Sequence, residues 1–580
     1  MKKLFDRKIT SRKDAIFIMG FLAVILLLVN ILSQFAYFRW DLTAEKKYSI
    51  TTPTKNLLKK LPNTILVKVY LDGDMPSGFK KLREATRDIL NEFRAYGGTK
   101  IEYQFIDPVT GKSKEEQKAI FDELLEKGLA PYNVQTGKQN ESKVTMLFPS
   151  AVVSLGENEY PVSLVENQIG YSKEEVINNS VISLEYKFAN AIQKLTQYQA
   201  PRVAFVSGHD ELNKMQLADI QQTLLSNKYE ISNLDITKSY KIPKELDAIV
   251  IAKPKQAFDE KDKYKIDQYI MHGGHVLWLI DATTAEMDSL QLQRGVQNVF
   301  DRNLNLEDMF FKYGVRFNTD LIQDITMFNM IPIVVGQMGN APQTELFPWY
   351  YFPLLSSQNN HAIVKNIDPV AGKFVGTIDT IRSPGLNKTI LLTTSDLSKA
   401  IMTPMRVHFG ILQQKPNPEY YKQPKLPAAV LVEGKFTSLY KNRLSPEYLA
   451  IGDTVAELKF IEESPESKQI FIADGDIIQN DMKDSSAYPL GFYRFTNQTF
   501  ANKDFVLNCI QYLVDNSGLL TTRNKDVKLR LLNSVRVQNE KTKWQIINIL
   551  LPIIFVVIGG FLFISYRKKK YTLLPTSEKK

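Results

Sequence analysis

Two apolar runs without a charged residue lie near the ends of the chain, at residues 15–37 and 546–566. At about 1.5 Å of rise per helical residue, each run is long enough to cross a hydrocarbon core of roughly 30 Å. Lys and Arg are concentrated in the outer tails, residues 1–14 and 567–580, and such positive flanks stay on the cytoplasmic side of a membrane. The pattern predicts two transmembrane helices, cytoplasmic tails and a large extracytoplasmic body.

The first part of that body, residues 38–198, alternates between strand and helix periodicity. Residues 64–72 and 100–108 predict strands, and residues 77–97 predict a helix that ends at a Gly-Gly pair. Two further strands, joined by a turn at residues 156–158, precede a closing helix. The order β-α-β-α-β-β-α predicts a thioredoxin-like domain. Because the chain has a single Cys, a Cys-x-x-Cys pair is absent and the domain is predicted to be a scaffold without redox chemistry.

Residues 199–520 predict a second, larger α/β domain. Near-continuous apolar strands alternate there with amphipathic helices, which indicates a parallel sheet covered on both faces. After a first strand near Pro201, the strands are predicted at residues 247–254, 275–281, 389–395, 428–434 and 469–476. We expect one doubly wound, Rossmann-like sheet, interrupted at about residues 287–382 by a loop-rich insertion with many aromatic residues and prolines. Residues 521–545 predict a stalk that leads to the second membrane helix.

Charge and composition exclude several function classes. The formal net charge is +10, of which the tails supply 6 − 2 = +4 and 6 − 1 = +5, so the rest of the chain carries about +1. The excess charge is therefore an orientation signal with an attraction to membrane lipid, and nucleic-acid binding is not expected. One Cys and five His, without metal-ligand spacing, predict neither a disulfide framework, a metal site nor a cofactor.

Polar residues end three of the predicted strands, where ligands of doubly wound sheets bind. The candidate ligand-binding residues are Ser207, Gly208, His209, Asp210, Glu211, Asp281, Asp474 and Asp476, together with Trp349 of the aromatic insertion. His209 beside acidic residues has the chemistry of a general acid or base. Asp and Ser at strand-to-helix turns also serve as helix caps. Binding and capping both remain open for Asp281 and Asp476, and binding or a structural turn for His209.

No catalytic signature accompanies these residues. Ser207 lacks the Gly-x-Ser-x-Gly context of a nucleophile elbow, and a phosphate-binding Gly-rich Lys-Ser/Thr loop is absent. We therefore predict a protein that is not an enzyme. In the predicted membrane helices, the candidate partner contacts are Asn30, Gln34, Asn548, Gly559 and Gly560. Polar amides and small residues form contacts between helices in lipid, although polar residues near the membrane surface are also tolerated there.

Several sequence blocks, in this order, resemble one family along nearly the whole chain. The blocks are YLDGDMPSGFKKLREATRDILNEFRAYG, FVSGHDEL, KYKIDQYIMHGGHVLWLIDA, ELFPWYYFPLL, VLVEGKFTSLYKNR and FIADGDIIQND. They resemble the GldG family, gliding-motility-associated proteins of Bacteroidetes described as substrate-binding components of an ABC transporter. The resemblance implies a non-catalytic, amidotransferase-related central domain in the periplasm, anchored in the bacterial inner membrane.

The resemblance also implies partners, namely a multispanning permease and a cytoplasmic ATPase that act in gliding and the associated secretion. A non-enzymatic subunit coupling those partners to the periplasm is the preferred hypothesis. Two alternatives remain: a periplasmic receptor for a saccharide or peptide, and a hydrolase that uses Ser207 or His209. The sequence leaves self-association open.

Overall fold

The computed structural model describes residues 16, 19–28, 49–73, 75–108, 111–129, 131–136, 143–165, 172–292, 295–338, 341–443, 460–483, 486–515, 517–524 and 534–571. The chain divides into two compact units, residues 1–525 and 526–580. Both helices and sheets are present, so the predicted α/β class is confirmed.

A four-stranded sheet and four helices form the first part of the first unit. In chain order its elements are α1 (Thr52–Lys59), β1 (Ile65–Val69), α2 (Ser77–Gly97), a 3-10 turn (Gly98–Lys100), β2 (Ile101–Phe105), α3 (Lys114–Glu126), β3 (Tyr132–Thr136), β4 (Lys143–Leu147), β5 (Ser150–Leu155), β6 (Asn158–Ser163) and α4 (Lys173–Thr196). The sheet order is β2-β1-β5-β6. Strand β1 is parallel to β2 and antiparallel to β5.

Local sequence explains these elements. The three inward side chains of β1, Ile65, Val67 and Val69, are fully buried, as the two-residue period of a strand requires. Helices α3 and α4 begin after Ser113 and Ser172, each in a capping box. The β3–β4 hairpin was not predicted, although apolar and polar residues alternate along both of its strands.

The remaining elements of the first unit begin after Pro201. In chain order they are β7 (Arg202–Ser207), α5 (Ala218–Ser226), β8 (Glu230–Asp235), β9 (Ala248–Ala252), α6 (Glu260–Met271), β10 (His275–Leu279), α7 (Met287–Leu292), β11 (Val296–Val299), α8 (Glu307–Lys312), β12 (Val315–Phe317), β13 (Asp320–Asp324), β14 (Phe328–Met338), β15 (Ala341–Leu355), β16 (Val370–Ala371), β17 (Ile378–Thr380), β18 (Leu386–Thr393), β19 (Ser398–Met402), β20 (Met405–His408), β21 (Pro427–Thr437), β22 (Glu463–Ile472), β23 (Met482–Lys483), β24 (Ser486–Ala487), β25 (Phe492–Tyr493), β26 (Gln498–Thr499) and α9 (Asn502–Val514). Short 3-10 turns lie at Phe409–Gln413, Pro418–Tyr420, Gly475–Ile478 and Leu519–Asn524.

Seven of these strands form one sheet, in the order β18-β21-β22-β10-β9-β7-β8. Every residue of β9 is buried, as expected for a strand covered on both faces. Strands β8, β7, β9, β10 and β22 are mutually parallel. Strand β21 runs antiparallel to both β18 and β22, so the prediction of a parallel sheet is wrong for β21.

A strand-built lobe occupies the region predicted as a loop-rich insertion. Its longest feature is the hairpin of β14 and β15. The lobe also uses strands from beyond β18, because β11 pairs with β20 and β13 pairs with β19. Trp349, Leu321, Val407 and Phe374 share its hydrophobic core. The aromatic residues that marked this region in the sequence therefore hold the lobe together.

The second unit contains one long helix, α10 (Ser534–Tyr571). Within it, Glu540–Lys569 is long and apolar enough to cross a membrane, and its apolar window is fully exposed. Near the other end of the chain, Met19–Leu28 forms a shorter apolar helix. The rest of the predicted first span, including Asn30 and Gln34, lies outside the described residues.

Candidate functional site

A cleft of about 420 Å³ opens at the carboxyl ends of the parallel strands. The loops after β7, β9, β10 and β22 contribute Gln216, Lys253, Glu286 and Asp476, respectively, to one wall. Strands β8 and β9 lie on opposite sides of β7, so the chain reverses its winding direction there. Ligands of open α/β sheets bind at this kind of switch point.

The cleft is closed on the other side by the lobe and by the segment after β22. These contributions are Ile331, Pro332, Phe352, Lys373 and Phe374 from the lobe, and Gln479, Asn480, Asp481, Met482, Tyr493, Arg494 and Phe495 from the later segment. Lys255, Met287, Asp288 and Gln291 complete the lining. Because every wall comes from a different stretch of chain, the cleft exists only in the folded protein.

Lys253 is the buried charge at the base of this cleft. Its side chain is 7% exposed, and its Nζ lies 2.7 Å from Asp476 Oδ2 and 3.4 Å from Asp281 Oδ2. The Lys253 backbone is in the left-handed region, at φ 55°, which costs a non-glycine residue about 1–2 kcal/mol. A Cβ on Gly475 would lie 2.5 Å from the Lys253 side chain, so glycine is required there for the two segments to meet.

Asp474 joins Asp281 and Asp476 in a cluster whose carboxylate oxygens lie within 4.8 Å of one another. Burial raises the pKa of Asp281, and burial together with the neighbouring Asp476 raises the pKa of Asp474 well above its ordinary value. Burial also acts to raise the pKa of Asp476, but Lys253 and Lys373 outweigh it and hold that pKa below its ordinary value. Asp476 is therefore the carboxylate of this cluster whose charged form the neighbouring lysines favour.

Backbone N–H groups donate hydrogen bonds to two of these three carboxylates. Asp281 Oδ1 accepts from the Gly475 N–H at 2.6 Å. Asp474 accepts from the Asp476 N–H at 2.7 Å and from the Lys373 N–H at 2.8 Å. Three carboxylates at this spacing resemble a divalent-cation site. However, the Lys253 ammonium already supplies the positive charge, so we interpret the cluster as an ion-pair network that fixes the floor of the cleft.

Two further ion pairs line the cleft above that floor. Lys373 Nζ lies 2.7 Å from Asp481 Oδ1, with side chains 30% and 26% exposed. Lys255 Nζ lies 3.3 Å from Glu286 Oε1, which Arg302 also contacts at 3.3 Å. The cleft thus presents ammonium and carboxylate groups side by side.

Of the predicted site residues, the structure brings together Asp281, Asp474 and Asp476, and Asp476 lines the cleft. The turn of residues 207–211 does not contribute to the lining. Gly208 adopts φ 128°, and a Cβ there would lie 2.6 Å from Thr237 Cγ2, so this glycine permits a tight turn after β7. Asp210 is exposed in a left-handed conformation, and Ser207 is half-buried.

His209 is buried inside the fold. Its ring stacks on Phe258 at 3.7 Å between centroids. Its Nε2 lies 3.2 Å from Asp262 Oδ2, and its Nδ1 lies 3.5 Å from Glu211 Oε1. Glu211 also accepts from the His209 backbone N–H at 2.7 Å. These contacts attach the turn after β7 to α6, which is a structural role.

Trp349 is fully buried and packs against Tyr351 and Phe409 in the lobe core. It does not line the cleft, whose aromatic lining comes from Phe352, Phe374, Tyr493 and Phe495. The membrane candidates Gly559 and Gly560 lie in α10, with no neighbouring atom within 4 Å of their Cβ positions, and Asn548 is exposed on the same helix.

Sequence reasoning missed the cationic residues of the site. Lys253 follows the all-buried strand β9 directly, so the strand-end rule that selected Asp281 applies to it equally. Lys373 and Asp481 carried no comparable signal, because neither lies at the end of a strand of the large sheet. Their pairing depends on how the lobe packs against the segment after β22.

Two protein-family models match most of this body. The model described as "ABC-type uncharacterized transport system" (ABC_transp_aux) matches residues 200–509, more than half of the chain. A second, "Domain of unknown function (DUF7088)", matches residues 44–154. The first match spans the seven-stranded sheet, the lobe and the cleft.

An uncharacterized protein of Borreliella burgdorferi is 21% identical over 547 residues, which cover 92% of this chain and 94% of that protein. A solved structure, the mmIFT52 N-terminal domain, is 13% identical and covers 54% of this chain and 98% of its own length. Its TM-score is 0.29, so this likeness contributes nothing further. The first family match is sufficient by its extent: the chain belongs to the ABC-type uncharacterized transport system family.

Proposed function

We propose that this protein is a non-enzymatic, membrane-anchored subunit of an ABC-type complex, with its body in the periplasm of a bacterium. The observation that carries the proposal is the family match across residues 200–509. A long apolar helix, Glu540–Lys569, supports membrane attachment. The proposed partners are a multispanning permease and a cytoplasmic ATPase, in a system of the GldG type that serves gliding and secretion.

The geometry of α4 supports a coupling role for the body. At the start of the described body, the Thr51 N–H and the hydroxyls of Thr51 and Thr54 donate to Glu185 of α4, at 2.6–2.9 Å. At its end, Ser517 accepts from Gln193 of α4 at 3.1 Å. The segments leading to both predicted membrane helices are thus attached to one helix.

The same helix contacts the large α/β part. Tyr186 Oη donates to Gln511 of α9 at 2.8 Å. Lys194 Nζ donates to the Asn227 carbonyl at 2.8 Å and lies 3.9 Å from the centre of the Tyr229 ring. Helix α4 therefore connects the membrane-directed segments to the sheet that holds the cleft. In this proposal, a change in the membrane helices reaches the cleft through α4.

The proposal includes two finer descriptions of the body. The order β1-α2-β2-α3-β5-β6-α4 supports a thioredoxin-like interpretation of residues 38–198, with the β3–β4 hairpin as an addition. The parallel strands β8, β7, β9, β10 and β22, with α5, α6 and α9, support a Rossmann-like interpretation of residues 199–520. A hydrolase using His209 is not proposed, because that side chain is 4% exposed and held by Asp262 and Phe258.

Co-purification tests the proposal. The tagged full chain, extracted in a mild detergent from its own cells, should bring down a permease and an ATPase. In an α-helix, Asn548 and Gly559 lie on one face and Val557 on the opposite face. Gly559→Leu should reduce recovery of the permease by lengthening the contact between helices, whereas the control Val557→Leu should not. Recovery of neither partner with the native chain would refute the proposal.

A further inference from the structure

We infer that the cleft at the carboxyl ends of the parallel strands binds a neutral, hydroxyl-rich ligand, a saccharide unit. This inference rests on the proposed function for one point only, namely that the cleft belongs to a periplasmic body. Its arguments come from the charges, hydrogen-bonding capacity and apolar wall of the cleft itself.

The charges that line the cleft balance. Four cationic side chains, Lys253, Lys255, Lys373 and Arg494, face four anionic ones, Glu286, Asp288, Asp476 and Asp481. All three lysines are already within ion-pair distance of a carboxylate, at 2.7–3.3 Å. A charged ligand group that bound one of these lysines would have to displace its carboxylate and leave it unpaired in a partly buried site, which is unfavourable. The fourth cation, Arg494, lies over the Phe495 ring at 4.6 Å. The three ion pairs therefore disfavour ions and zwitterions, including free peptide termini.

A neutral polyol can bind these pairs without breaking them. Each hydroxyl both donates and accepts, an ammonium has three donors, and a carboxylate has about four lone-pair sites. One hydroxyl can therefore donate to Asp481 while its neighbour on the same sugar ring accepts from Lys373. Such hydrogen bonds are charge-assisted and stronger than neutral ones. The pair of Lys255 and Glu286 offers the same combination.

The remaining lining suits the carbon skeleton of a sugar. Phe352 and Phe374 are largely buried at the wall, and Phe495 is 38% exposed. Phe495 therefore provides the exposed apolar surface for the C–H face of a sugar, and the amides of Gln291 and Gln479 supply both donors and acceptors. The volume of about 420 Å³ lies within the range of small-molecule sites, roughly 300–1,000 Å³.

The test measures binding calorimetrically on the full chain in nanodiscs made from sugar-free lipid, without partner subunits. The probes are maltotriose, cellotriose and chitotriose, compared with triglycine, trilysine and citrate. We expect at least one saccharide to bind and the charged probes to bind at least tenfold more weakly. Because the ligand is neutral, its affinity should be nearly unchanged between low and high salt, which screens ionic attraction.

Variants identify the site. Lys373→Met and Lys255→Met should each weaken saccharide binding at least tenfold, while Lys441→Met, at a surface ion pair outside the cleft, should not. Thermal unfolding of each variant confirms that it is folded. Failure of all three saccharides, preference for a charged probe, or unchanged affinity in both folded cleft variants would overturn the inference. Co-purification with a permease does not enter this assay, so the two proposals fail separately.

Discussion

Replacing Lys253 by Met removes the one cation between Asp476 and Asp281 while retaining most of the side-chain stem. Lys253 is 7% exposed, and the two carboxylates are 12% and 7% exposed. Removal of one partner of a buried ion pair costs about 3–5 kcal/mol, because the other partner is left charged and desolvated. We therefore expect Lys253→Met to lower the free energy of unfolding by this amount at pH 7.5.

In a thermal scan this destabilisation is large enough to measure. Taking roughly 2 °C per kcal/mol, the lower end of the scale for larger domains, the loss corresponds to a Tm decrease of about 6–10 °C. Tryptophan fluorescence is a suitable signal, because Trp278 is fully buried in β10, three residues before Asp281. The matched control is Lys441→Met, whose partners Glu462 and Glu463 are exposed, and which should cost less than about 1 kcal/mol.

The same variant has a defined pH dependence. In the native protein, Lys253 helps to hold the pKa of Asp476 below its ordinary value, so that group stabilises the fold above its unfolded pKa and loses this contribution as the pH falls. Without Lys253, burial is opposed by fewer cations, so we expect the pKa of Asp476 to rise, as burial already raises the pKa values of Asp281 and Asp474. Protonation of Asp476 then removes the unpaired buried charge from the variant. The Tm difference between the native protein and Lys253→Met should therefore shrink between pH 7.5 and pH 5. A deficit equal to that of Lys441→Met, or one that grows towards pH 5, would refute this reasoning.

Three other changes test the framework around the site. Glu185→Ala leaves three donors at the start of α1 without their acceptor and should lower stability in urea by about 2–4 kcal/mol; a loss below 1 kcal/mol would contradict the role given to α4. Burial lowers the pKa of Lys194 to about 7. Between pH 7 and 10 the unfolded chain therefore binds more protons than the folded chain, and the stability of the native protein should rise with pH. In pH-dependent melting curves, Lys194→Met should abolish most of this rise. Ser207→Ala should preserve Tm and permease recovery. His209→Ala should lower stability by about 2–4 kcal/mol, because it removes a buried ring that stacks on Phe258 and contacts Asp262; equal effects would show that the turn is not held by His209.

The parts of the fold that were predictable are those with a local sequence signal. Strands β9 and β10 are continuous apolar runs, and α6 begins at the cap Asp259 and ends before Gly273. Such patterns depend on burial on both faces and on backbone capping, which neighbouring residues determine. Strand direction has no such signal: the buried stretch of β21 has the same composition in either orientation, so its antiparallel pairing was missed.

The candidate site likewise combines residues that have a local sequence signal with residues that have none. Asp281, Asp474 and Asp476 were selected because they follow strands, and the structure brings these three together. The sequence could not show that Lys253 lies among them, since the packing of Gly475 against Lys253 joins residues more than two hundred positions apart. For His209, binding and a structural turn both stayed open for a related reason: its partners Phe258 and Asp262 come from about fifty residues later, and only the tertiary fold shows that they enclose the imidazole.

The attachment of both ends of the body to α4 also determines how the protein would carry tension. A pull applied between the two membrane-directed segments would run from the Thr51–Glu185 hydrogen bonds along α4 to the Gln193–Ser517 contact. Tyr186 and Lys194 attach the same helix to the large α/β part, so the sheet would receive part of the load. Three hydrogen bonds to Glu185 would share the load at one end of α4, and one hydrogen bond to Ser517 would carry it at the other, so of these contacts the Gln193–Ser517 bond would break first.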